Sequence, residues 1–83
     1  MATMTFEAFL LSLGTATLIA LGEIENPITK KKDKDIAAAR QHIDILEILV
    51  LKTKGNLSAH ENKLLEDILF ETRMKYVALT DKK

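Results

Sequence analysis

The 83-residue sequence has no Cys and no Trp, one Pro, one Tyr and three Gly. Without Cys there is neither a disulfide framework nor a thiolate metal site, and the compartment is left open. So few Pro and Gly give little punctuation for turns, so the chain reads as a few long elements. No charge of one sign dominates either: 12 Lys plus Arg balance 12 Asp plus Glu. Bulk attraction to nucleic acid or anionic lipid is therefore not what the chain is built around. An apolar run long enough for a membrane is also missing. Residues 8–21 would rise only about 21 Å as a helix, against a hydrocarbon core of roughly 30 Å. A secretory leader calls for Lys or Arg ahead of its apolar run, and residues 1–7 contain none, although Ala20-Leu21-Gly22 has the look of a small-residue cleavage site. A cytoplasmic protein with no membrane span is expected.

Hydrophobic residues supply 47% of the chain, too many for a disordered tail. A chain this short buries only about 60% of its unfolded surface, so a core confined to one copy is marginal. The expected architecture is all-α, a single helical domain over residues 1–83. Helices are placed at about 5–22, 36–54 and 59–79, with a loop at 23–34. The last two helices form an αα-hairpin, and the core is completed by oligomerisation.

In the first helix Phe6, Phe9, Leu10, Leu13, Leu18, Ile19 and Leu21 cover more than one face, and Gly22 stands where a left-handed cap belongs. Ala8, Ser12, Ala16 and Ala20 form an i, i+4 row of small side chains, which lets two helix backbones approach closely. That row is the proposed interface between copies. The competing reading places the same small residues in the core of one chain. Leu10, Gly14 and Leu18 form a second row with a gap at Gly14.

The connector holds Pro27, which removes a backbone donor and keeps Asn26 out of a helix. Lys30, Lys31, Lys32 and Lys34 make a basic knot, and Arg73 and Lys75 flank Met74 ahead of Tyr76. These six residues are the candidate contacts for an anionic partner, such as RNA or a ribosome. The connector has no aromatic or Arg-rich pattern beside its lysines, so a solvated loop is the favoured reading and nucleic-acid binding the alternative. Arg73 can stack on an aromatic ring, face a partner's acid or pair with Glu66 or Asp67, and structural ion pairing is the favoured reading.

Asp35 is expected to cap the second helix, whose stripe is Ile36, Ala39, Ile43, Leu46 and Val50. Ile45, Ile48, Leu49 and Leu51 widen that stripe, and Lys52 and Lys54 suit the negative end of the dipole. Ser58 and Glu61 match a capping box after Gly55. Leu64, Leu65, Ile68, Leu69, Thr72, Tyr76 and Leu79 should face inward on the third helix, with Phe70, Met74 and Val77 at its apolar edge. Residues 81–83 are expected to fray.

Catalytic chemistry is poorly served. Neither His42 nor His60 has a His or carboxylate at i+3 or i+4, and the acids Asp44, Glu47, Glu66 and Asp67 sit on helices too short to enclose a cleft. No enzyme activity, metal or cofactor is expected. The expected role is a non-enzymatic homo-oligomeric (dimer or higher) interaction or regulatory accessory module with an unidentified protein partner.

Several pieces of the chain together resemble a known family: LGE at 21–23, Asn26-Pro27, IDIL at 43–46, KTKGNLS at 52–58, Glu61, Leu64-Leu65, and RMKYV at 73–77. The pattern is similar to the bacterial family of domain of unknown function 1844 and spans residues 6–77. The resemblance implies a small cytosolic helical protein of bacteria and brings no activity, ligand or catalytic residue with it.

Overall fold

The computed structural model describes residues 4–80 as three helices, α1 (Phe6–Ala20), α2 (Ile36–Lys52) and α3 (Ala59–Thr80), with no strand among them. The fraying expected of residues 81–83 lies outside the described residues.

Local chemistry sets each boundary. Thr5 caps α1, its hydroxyl accepting from the Ala8 amide at 3.0 Å. At the other end Gly22 takes φ +81°. Its amide donates to the Ile19 carbonyl at 3.0 Å, while the Glu23 amide reaches back to Leu18 at 2.9 Å. This paired closure satisfies carbonyls that the last turn would leave orphaned. Gly22 is required sterically as well, because a Cβ there would lie 2.8 Å from Cγ of Lys34.

Asp35 caps α2 as expected, accepting from the Ala38 amide at 3.0 Å. Its own amide donates to the Ala20 carbonyl at 2.7 Å, which ties the start of α2 to the end of α1. The helix stops at Lys52, two residues short of the expected 54. Thr53 is the cap, and its hydroxyl turns back to the Leu49 carbonyl, so Lys54 lies beyond the last turn. The Ser58–Glu61 box then opens α3: the Ser58 amide donates to Glu61 Oε1 at 2.9 Å and the Glu61 amide to Ser58 Oγ at 3.1 Å.

Contacts along the chain show α1 running parallel to α3 and α2 antiparallel to both. Glu7 meets His60 at one end, Gly14 meets Ile68 in the middle, and Glu23 meets Lys75 at the other. The main core joins Leu10 of α1, Ile43 and Leu46 of α2, and Leu65 and Leu69 of α3. A second cluster of Ala20, Leu21 and Ala39 closes the far end, and Tyr76 packs against both. Fully burying one Leu contributes roughly 1.5–3 kcal/mol, so these few side chains carry most of the packing. Two hydroxyls lie inside this apolar contact. Thr17 and Thr72 are buried, and each donates to the carbonyl four residues back, at 2.7 and 2.8 Å. Both polar groups are thereby satisfied without a partner from another helix.

Candidate functional site

The α2–α3 hairpin carries a group of exposed apolar side chains. Phe70, Met74 and Val77 follow i, i+4, i+7 along α3 and therefore share a face. They are 67%, 57% and 51% exposed. On α2, Ile48 and Leu51 are likewise more than half exposed. Leu51 shares a shallow groove with Val50, Leu69, Glu47 and Arg73, which brings the α2 residues to the side of α3 that carries Phe70 and Val77. Of the residues that widen the α2 stripe, Leu49 packs against the main core, while Ile48 and Leu51 stay exposed with the apolar edge of α3.

The small-residue row of α1 divides between surface and core. Ala8 and Ser12 are exposed, Ala16 is half-buried, and Ala20 is buried in the second cluster against Leu21 and Ala39. Ala20 is therefore spent inside the chain, because the row drifts around the helix as it advances. The close helix–helix approach occurs on the second row, at Gly14. A Cβ there would sit 3.2 Å from Cγ2 of Ile68, so the gap in that row is filled by α3 of the same chain.

The basic residues fall into two groups. Arg73 donates from Nε and Nη2 to Oε2 of Glu47, at 3.2 and 2.6 Å. It pairs across the hairpin rather than with Glu66 or Asp67, because its helical phase faces α2. Lys75 lies 3.6 Å from Glu23. Each already holds an acid of its own chain. Lys30, Lys31 and Lys32 are exposed, and no ion pair among the described residues includes them. Lys34 is exposed too, but its aliphatic stem lies over Gly22 and helps to hold the connector down. Beside these lysines Ile28 is 87% exposed, a residue passed over by periodicity arguments. Its signal was an isolated apolar side chain in a polar connector.

Arg40 sits over the Tyr76 ring at 5.9 Å and pairs with Asp44 at 3.3 Å. The Tyr76 hydroxyl and then Asp44 raise its already high pKa, so it is a fixed cation. His42 is half-buried, and its Nδ1 is buried without a hydrogen-bond partner. Between α1 and α3 a hollow of about 160 Å³ is lined by Leu11, Gly14, Thr15, Leu18, Ile68, Glu71 and Thr72. Among the described residues no group of three His, Cys, Asp or Glu side chains could hold a metal ion, and no helix is long and apolar enough to cross a membrane.

Compared with curated proteins and with solved structures, the chain matches none. Residues 3–78 match a family model, nearly the whole of the chain, and they include the hairpin turn, the α3 stripe and the lysine-bearing connector. The chain belongs to the family described as Domain of unknown function (DUF1844).

Proposed function

We propose that the protein is a non-enzymatic interaction module that works as a homo-oligomer in the cytoplasm, with the outer face of the α2–α3 hairpin as the contact between copies. The observation that carries this reading is the row Phe70, Met74 and Val77, flanked by Ile48 and Leu51, all more than half exposed. Of the eleven large hydrophobics exposed among the described residues, these five are gathered on the hairpin.

A second copy fits this face better than a strongly charged partner. The net charge is zero, so two copies meet without long-range repulsion. An association role also agrees with a surface that offers shallow grooves and exposed side chains in place of an enclosed cleft. Light scattering on the purified chain at tens of micromolar tests the reading. A mass of two or more chains is expected, and a clean monomer would overturn it.

A further inference from the structure

The connector between α1 and α2 is a built turn. Asn26 Oδ1 accepts from the amides of Ile28 at 2.8 Å and Thr29 at 3.3 Å. The Lys30 amide donates to the Asn26 carbonyl at 2.7 Å, and the Asn26 amide donates to the Lys31 carbonyl at 2.9 Å. Lys30 holds φ +64°, a left-handed conformation that a side chain disfavours, so the ring of hydrogen bonds is setting the geometry. The product of this constraint is Ile28, the most exposed large apolar side chain among the described residues, at 87%.

Three consecutive lysines follow closely on that tip. Residues 26–32 contain Lys30, Lys31 and Lys32 and no acid. Exposed acids bound this stretch on both sides, Glu25 before Asn26 and Asp33 after Lys32, while Glu23 lies against Lys75 and Asp35 is occupied in capping α2. An aliphatic side chain standing among free ammonium groups has the composition of an interfacial anchor, in which apolar insertion and attraction to anionic headgroups add together. We propose that this turn contacts an anionic lipid bilayer, with Ile28 entering the interfacial zone and Lys30, Lys31 and Lys32 meeting headgroup phosphates. Nucleic acid fits less well. Bases stack on aromatic rings or Arg planes, and residues 23–35 supply neither, leaving Ile28 with nothing to gain.

The expected attachment is weak and reversible. Each lysine near an anionic surface strengthens binding about fivefold, and burying the tip of Ile28 adds about tenfold. Neutrality of the whole chain makes the attraction local, fading beyond about 10 Å at 0.1 M salt. Attachment does not depend on self-association, so the two proposals stand or fall separately.

Sedimentation of the full chain with phosphatidylcholine vesicles, with and without phosphatidylglycerol, tests this at low salt. Binding is expected to the phosphatidylglycerol vesicles alone. Lys30→Gln, Lys31→Gln and Lys32→Gln together should weaken it on the order of 100-fold, and Ile28→Ser about tenfold, with helical circular dichroism unchanged. The chain has no Trp, so Ile28→Trp is a single reporter whose emission should move to the blue on the same vesicles. Absence of sedimentation at low salt, or full binding by Ile28→Ser, or an unshifted Trp, overturns the proposal. Retention on single-stranded RNA that is lost with the lysines and indifferent to Ile28→Ser would assign the turn to nucleic acid and overturn it equally.

Discussion

Gly14 of α1 and Ile68 of α3 fit each other as hollow and knob: the position a Cβ would take on Gly14 lies 3.2 Å from Ile68 Cγ2. Leu10 and Thr17, on the same face of α1, are completely buried. The absence of a side chain at Gly14 therefore sets how closely α1 and α3 approach, and α1 depends on that approach for its place in the core.

Filling the hollow should destabilise the chain. Gly14→Val forces Ile68 off its seat, and overpacking of this kind costs about 1–3 kcal/mol. Ile68→Ala removes the knob, so Gly14→Val should cost less in that background than in the native one. Denaturant unfolding of the four proteins in the cycle measures the coupling. Equal costs in both backgrounds would show that Ile68 is not what Gly14 accommodates.

The association face makes a positional prediction. Met74→Asp places a charge at the centre of the exposed α3 stripe and should reduce the mass by light scattering to one chain, with helix content retained. Ser12→Asp, exposed on α1, should leave the assembly intact. The reverse pattern would move the interface to the small-residue row of Ala8, Ser12 and Ala16.

Features set by neighbours in sequence were legible before the structure. Asp35 as a cap, the Ser58–Glu61 box and Gly22 as a left-handed stop all rest on interactions across three or four residues, which spacing displays directly. The inward stripe of α3 was legible because Leu65, Leu69, Thr72 and Tyr76 recur at three- and four-residue steps. The seam on α1 was not, since apolar side chains surround that helix and leave its rotational phase open. Small residues on two rows competed, and only the position of Ile68 decides for Gly14. The turn at Asn26 was invisible for a related reason: its hydrogen bonds specify a backbone shape that no periodicity records.

Arg73 and Glu47 are 26 residues apart, which is why spacing pointed to Glu66 or Asp67 instead. Their side chains are 53% and 42% exposed, so solvent screens the pair. A double-mutant cycle with Arg73→Ala and Glu47→Ala should give a coupling of about 0.5 kcal/mol, shrinking as salt is added. A coupling above about 2 kcal/mol would mean that the pair is desolvated, as it would be if a second copy covered the neighbouring Leu51 groove. Measuring the cycle below and above the association concentration separates these cases.

His42 is where the helical core is poorest in polar partners. Its Nδ1 is buried and unpartnered, and an unsatisfied buried polar atom costs about 1–3 kcal/mol. Leu46 and Leu49, one and two turns further along α2, lie on the same side and belong to or pack against the main core. His42→Leu should therefore stabilise the fold by about 1 kcal/mol, raising Tm by roughly 4–8 °C in a domain of this size. Leu also has the better helix propensity, so His42→Gln, close to His in polarity and nearer to Leu in propensity, is the control that separates the two contributions. A gain for Leu that Gln does not share assigns the effect to the buried nitrogen. Equal gains would assign it to propensity, and no gain at all would mean that water satisfies Nδ1 in solution.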